Sequence, residues 1–403
     1  MIAEIKPGKG KGVIEAPPSK SMAHRLLICA GLSEGKSTIE GVFLSDDFEA
    51  TLGCLSALGA EYEIENGKII VTGTDIRNIP ENAFFSCRES GSTLRFFMPL
   101  CLLDGKTFTF CGSEKLFSRP LSVYEDIFRK QDIAFEKSKN RITLGGKLKS
   151  GVFEIPGNIS SQFITGLLFV LPLLEKESII KIIPPVESRS YINLTLEALS
   201  VFGIEAGWRN ENTLFIKGGQ SFRAADAKVE GDYSNAAFFD ALNLFGSEIE
   251  ITGLEPESNQ GDKIYKEYFS LLEKGKPEID ISDCPDLGPI LFAVAGAKNG
   301  GTFTGTKRLK IKESDRAFAM AKELSKFGTM VTIGENSVII DPSDFHAPSE
   351  NIFGHGDHRI VMSCAVLLTL TGGKIEGAEA VKKSFPDFFE KLKKLGFEMK
   401  GDF

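Results

Sequence analysis

Basic residues gather in this chain in short segments that are also rich in serine and glycine. PPSKSMAHR supplies Lys20, Ser21 and Arg25, SGSTLR supplies Gly91, Ser92 and Arg95, and FSRPL supplies Arg119. Further along, KESDR holds Lys312, Glu313 and Arg316, GDHR holds His358 and Arg359, and KKSFPDF holds Lys383. Ser160-Ser161-Gln162 and Ser188-Arg189 add neutral donors and one more cation. Arginine grips carboxylates and phosphates with two parallel hydrogen bonds, whereas lysine acts as a compact point charge. Such an inventory fits a small ligand carrying more than one anionic group. Acid–base work inside a positive site needs carboxylates, and Asp286 and Glu313 are best placed by segment. Asp286 also fits a helix N-cap. Glu313 stands beside Lys312 and three residues before Arg316, which is equally the spacing of a surface helical ion pair.

The elements that would position these residues follow from a pattern recurring at intervals of roughly 70 residues, with one shorter interval. Each copy begins with small polar residues and continues into an apolar helix. Gly-bounded β-type residues, a second amphipathic helix and two strand-like runs follow, making a βαβαββ unit. The six copies open at Ser19-Lys20-Ser21, Ser90-Gly91-Ser92, Ser160-Ser161, Asp232-Tyr233-Ser234, Asp286-Leu287-Gly288 and Asp357-His358. Serine and aspartate at a helix start accept from its unpaired N–H groups, and the helix N-terminus itself attracts anions. Lys20, Arg25 and Arg95 fall within or just after these openings, where a cation opposes the helix dipole. Capping does not explain them, and a bound anion would.

The opening helices, such as FITGLLFVLPLL and ILFAVAGA, are apolar on nearly every face, which predicts burial all round with sheets wrapped outside. Six copies divide into two groups of three. Crossings are expected at Ala16-Pro17-Pro18 and around residues 222–231, giving one domain over 19–226 and another over 1–18 plus 227–403. A cleft between two domains is the default ligand site.

Bulk properties narrow the function classes. A chain of 403 residues with 42% apolar and 25% charged content exceeds what one core usually serves. The net charge of −8 argues against a nonspecific nucleic-acid surface. The longest apolar runs, near 163–174 and 361–370, fall short of the roughly 20 residues needed to cross a bilayer. The N-terminal segment lacks the apolar stretch of a signal peptide, so a cytoplasmic location is expected. Seven scattered cysteines without a CxxC pair point to buried free thiols. His355 and His358 alone do not make a metal site, so no metal and no cofactor are expected.

The ordered series PPSKSMAHR, ESGSTLR, SRPL, ISSQF, ESRSY, VEGDYSNAAFF, PDLGP, KESDR, GDHR and KKSFPDF resembles the EPSP synthase (3-phosphoshikimate 1-carboxyvinyltransferase) family of enolpyruvyl transferases across essentially the whole chain. The resemblance implies a two-domain inside-out α/β barrel, each domain three βαβαββ repeats with helices buried and sheets outside. It implies transfer of enolpyruvyl from phosphoenolpyruvate to the 5-hydroxyl of shikimate 3-phosphate through a tetrahedral adduct that loses phosphate, in a monomer. Lys20, Ser21, Arg25, Ser160, Ser161, Gln162, Ser188, Asp286 and Lys312 would then contact shikimate 3-phosphate. Lys20, Gly91, Arg119, Gln162, Arg316, Arg359 and Lys383 would hold phosphoenolpyruvate, with Arg95 in support. Asp286 resembles the acceptor of the 5-hydroxyl proton, and Glu313 the group that protonates the methylene. Glu89 and Arg308 stand where relatives carry other residues. The transferase acting on UDP-N-acetylglucosamine carries Lys-Asn at the first motif and a reactive cysteine in the loop before the second-segment arginine. Here these are Lys20-Ser21 and the cysteine-free GSEKLFSR. RNA 3′-phosphate cyclases share the repeat but need nucleotide chemistry and a histidine that has no counterpart here. A phosphosugar-binding protein without turnover would leave Asp286 and Glu313 structural.

Overall fold

The computed structural model describes residues 1–42, 44–81, 83–342 and 344–402. The chain forms two units, one over Pro18–Glu230 and one over Met1–Pro17 with Gly231–Phe403. Sequence places the return crossing after residue 226. Residues 227–230 instead stay with the first unit, because Ala227–Lys228 pairs in parallel with Ile39 and Glu40. The Glu230 carbonyl also accepts from Ser19 N at 2.7 Å.

Five of the six repeats build a four-stranded sheet of one plan, a parallel pair extended by antiparallel partners. In the first unit, Thr107–Cys111 runs parallel to Phe84–Ser86 and antiparallel to Arg141–Gly145, which pairs with Ala134–Lys137. Alternation sends Phe108, Phe110, Ile142 and Leu144 inward while their neighbours face out. The inward faces cover the opening helices Lys20–Gly31, Gly91–Leu100 and Ser161–Val170, almost every residue of which is buried. Apolar residues lie on nearly every face of these helices, which suits burial all round. The helices Gly91–Leu100 and Ser161–Val170 approach closely at Gly166, where a Cβ would lie 2.2 Å from Tyr124 Oη and 2.4 Å from the Arg95 carbonyl. Tyr124 Oη donates to that carbonyl at 2.8 Å, tying the contact together.

The second unit repeats the plan around Tyr233–Leu244, Gly288–Ala297 and His358–Thr371. The sheet of the last repeat is completed by the N-terminal strand Ile2–Ile5, which pairs with Gly373–Glu376 and with Met399–Lys400. The fourth repeat departs from the expected βαβαββ unit. Among the described residues, Glu248–Thr252 pairs only with Lys11–Glu15, and the helix Tyr265–Lys274 leads straight to Glu278–Asp280 with no hairpin between them. That missing hairpin is the physical content of the one short repeat interval. Among the described residues, no helix is long and apolar enough to cross a membrane.

Candidate active site

Five repeat openings are capped as their sequence predicts. The side chains of Ser19, Ser90, Ser160, Asp232 and Asp357 accept from the backbone amides of Met22, Thr93, Gln162, Asn235 and Arg359. The fifth opening is the exception. Leu287 occupies the cap position of Gly288–Ala297, and Asp286 lies in the short 3-10 turn Pro285–Leu287, so the expected Asp286 N-cap is not formed. Its carboxylate is turned instead to three cations.

In the first unit, an ideal Cβ on Gly91 would sit 2.8 Å from Arg119 Nη1 and 3.0 Å from Arg95 Nη1, so two guanidiniums crowd one helix start. Arg95 is braced through Nη1 to Gln162 Oε1 at 2.7 Å, and Gln162 Nε2 donates to Ser92 Oγ at 2.9 Å. Neither arginine forms an ion pair with a described carboxylate, and Nε of each is buried without a partner. Burial foremost, then the Arg119 charge, pushes Arg95 down to about 9. Two like charges held this close without a counterion repel each other, a cost that a bound anion would offset.

The other cations of this unit have protein partners. Lys20 forms an ion pair with Asp47 in the first turn of the helix Asp46–Leu58. Arg25 is 3% exposed and donates to Thr195 Oγ1 at 2.8 Å, the Tyr191 carbonyl at 3.0 Å and the Ser21 carbonyl at 2.6 Å. Neutral oxygens of the protein therefore already engage all three nitrogens of Arg25. Ser161 is buried beside the capping Ser160, and Ser188 takes a left-handed backbone, φ 56°, at the start of Arg189–Val201.

In the second unit, Asp286 Oδ1 meets Arg316 Nη1 at 2.7 Å and Lys312 Nζ at 3.2 Å, and Oδ2 meets Arg359 Nη2 at 3.2 Å. Burial alone would raise this carboxyl, but Arg359, Lys312 and Arg316 outweigh it and hold it well below the usual range. Lys312 is pushed down to about 8, by burial first, with Asp286 pulling the other way. Arg316 Nε also donates to Asp357 Oδ2 at 2.9 Å, and Arg359 Nη1 donates to Ser234 Oγ. Glu313 lies before the helix Arg316–Lys326 and meets His358 Nδ1 at 3.0 Å, so it belongs to a cluster around the next helix opening rather than to a surface helical pair. Lys383 Nζ donates to the Gly356 carbonyl at 2.9 Å. Arg308, left aside in the sequence, is buried and bonds the Ser282 carbonyl.

Sequence reasoning missed Asp47, Ser234 and the second role of Asp357. Acidic residues in a first turn are ordinary dipole partners, so Asp47 carries no separate signal. Glu313, Asp357 and His358 each bring a ligand atom within 4.8 Å of the others. Asp357 is already bonded by Arg316, Ser314 and the Arg359 amide, so its charge is answered by the protein. The two histidines of GHGDHR go separate ways, His355 to Glu323 and His358 to Glu313.

A sequence profile described as EPSP synthase (3-phosphoshikimate 1-carboxyvinyltransferase) matches residues 5–392. The chain belongs to the EPSP synthase family. It is 40% identical over 420 residues to the 3-phosphoshikimate 1-carboxyvinyltransferase of Clostridium perfringens strain ATCC 13124, covering 99% of each chain. It is 41% identical over 423 residues to that of Clostridium botulinum strain Alaska E43, covering 98% of this chain and 97% of the relative. Among solved structures, EPSP synthase from Acinetobacter baumannii superposes with a TM-score of 0.80 at 22% identity, over 99% of this chain and 100% of that one. The enolpyruvyl transferase NikO from Streptomyces tendae superposes with 0.76 at 12%, over 99% and 98%. At those identities the structures speak to the fold, a two-domain α/β architecture. The chain is an enzyme, and its reaction is enolpyruvyl transfer from phosphoenolpyruvate to shikimate 3-phosphate.

Proposed function

We propose that residues of both units act on one substrate pair, and that the converging unanswered cations around Gly91 carry that reading. Arg119, with Arg95 behind it and Gln162 beside it, receives an anionic group of phosphoenolpyruvate together with Lys20, Arg316, Arg359 and Lys383. Ser21, held through its carbonyl by Arg25, joins Ser160, Ser161, Gln162, Ser188 and Lys312 on shikimate 3-phosphate. The protein works in the cytoplasm as a monomer, with no metal or cofactor.

The chemistry assigned to the carboxylates follows from what surrounds them. The oxygen-bearing carbon of an enol phosphate becomes attackable when its CH₂ takes a proton, and Glu313 is the donor, with His358 Nδ1 against its carboxyl. The developing cation is stabilised by the carboxylate of the substrate and by nearby anionic oxygens. Asp286 accepts the 5-hydroxyl proton as that oxygen bonds to the substrate carbon. Held by three cations, Asp286 is a weak base. When substrate anions engage Arg316, Arg359 and Lys312, those charges are shared and basicity returns to Asp286. In the collapse of the tetrahedral adduct the methyl returns a proton to Glu313, and phosphate leaves with the proton that Asp286 had taken, which restores both carboxyl groups.

The test is Glu313→Gln. Turnover falls by about 10² to 10⁴-fold, the range for a lost general acid, while calorimetry finds shikimate 3-phosphate binding within about twofold of wild type. Undiminished turnover removes Glu313 from the mechanism.

A further inference from the structure

The segment leading into the sixth repeat opening is clamped at two points by a single helix. Arg316 and Glu323 are seven residues apart on Arg316–Lys326, hence on one face about 10 Å apart along the axis. Arg316 holds Asp357, as described above. Glu323 is fully buried, and its Oε2 accepts from Phe353 N at 2.9 Å while Oε1 meets His355 Nε2 at 2.7 Å. Lys326 Nζ neutralises Glu323 at 2.7 Å and donates to the Asn351 carbonyl at 2.7 Å. The charge is therefore satisfied, and its geometry is fixed from three sides.

What this clamp fixes is a backbone that residues without a partner would not hold. His355 has φ 52° and Gly356 φ 62°, two consecutive left-handed residues. Glycine adopts this freely, whereas a histidine there needs a compensating contact. The ring bond to Glu323 is that contact. The turn so formed aims the Gly356 carbonyl at Lys383 and delivers Asp357 to the cap position of His358–Thr371, one residue before His358 and two before Arg359.

We propose that His355 and Glu323 are a positioning pair for the anion-binding residues Arg359 and Lys383: neither touches substrate, and together they set the left-handed turn that places both cations. The proposal rests on the assignment of Arg359 and Lys383 to phosphoenolpyruvate.

The experiment compares His355→Ala, His355→Gln, which keeps an amide donor near the Nε2 position, and Glu323→Gln with wild type. Phosphate release gives KM for each substrate and kcat, thermal melting reports stability, and amide hydrogen exchange reports order at residues 353–359. His355→Ala is expected to raise KM for phosphoenolpyruvate about tenfold, as a misplacement of about half an ångström would. KM for shikimate 3-phosphate should stay within twofold, exchange at Phe353 should accelerate, and His355→Gln should recover most of the loss. An unchanged KM for phosphoenolpyruvate overturns the proposal. So does a loss shared by both substrates that tracks the melting temperature, or no recovery in His355→Gln. If His355→Ala does not fold, Glu323→Gln and His355→Gln decide the same comparison. A wild type without phosphate release would sink the functional reading instead, and exchange at residues 353–359 would still judge the clamp.

Discussion

Replacing Gly91 with alanine probes the two guanidiniums that define the first half-site. The new Cβ would lie 2.8 Å from Arg119 Nη1, where ordinary contact begins at 3.4 Å, so something must yield by about 0.6 Å, the difference of the two. Arg95 is held by Gln162 and the Pro120 carbonyl, whereas Arg119 is only partly buried and lacks such a brace. Arg119 therefore moves furthest, and Arg95 Nη1, 3.0 Å from the same Cβ, gives by a smaller amount. Folding should tolerate this, because the displaced atoms are the far end of a flexible side chain. Gly91 has no positive φ, and alanine is favoured over glycine in a helix by roughly 0.5–1 kcal/mol. Binding should not tolerate it, since a shift of about 1 Å in a positioning group can cost about 10²-fold. A displacement somewhat over half that size should raise KM for phosphoenolpyruvate on the order of tenfold. In steady-state phosphate-release assays, KM for shikimate 3-phosphate should stay within twofold and the melting temperature should not fall. An unchanged KM for phosphoenolpyruvate would refute the placement of that substrate against Gly91 and Arg119.

Two further outcomes follow from the second unit. Asp286→Ala leaves Arg316, Arg359 and Lys312 without their shared carboxylate. Denaturant unfolding should show a loss of about 3 kcal/mol or more, partly restored by millimolar phosphate; no loss would mean that the three cations are not coupled through Asp286. Lys312 has a folded pKa of about 8, below its ordinary 10.5, so its charged form costs stability below pH 8 and that cost fades as pH rises from 8 to 10.5. Conversely, kcat/KM for shikimate 3-phosphate should fall about tenfold per pH unit well above 8 as the charge is lost. A profile flat to pH 10 would remove Lys312 from that pocket.

Much of this architecture was legible because the repeat carries the same physical signals each time. Helices apolar on nearly every face announce burial, and Ser or Asp before each one announces a cap, which five openings form. The fifth failed because Asp286 has stronger partners than a backbone amide, and those partners are 26, 30 and 73 residues away. Local spacing carries no trace of such pairings. The same limit hid the Lys20–Asp47 pair and the meeting of Glu313 with His358. The hairpin missing from the fourth repeat was visible only as a short interval, since an absent element leaves length as its sole mark. Arg95 and Arg25 both stand as cations near helix starts, and Arg95 keeps an Nε with no partner. At Arg25, the hydroxyls of Thr195 and Thr165 and the Tyr191 carbonyl take up the guanidinium, contacts that local spacing does not show.

The most direct measurement is the release of inorganic phosphate from phosphoenolpyruvate by the purified protein, with shikimate 3-phosphate and UDP-N-acetylglucosamine supplied in turn. Stoichiometric release with shikimate 3-phosphate alone is the predicted result. Release with UDP-N-acetylglucosamine, or none with shikimate 3-phosphate, would contradict the account.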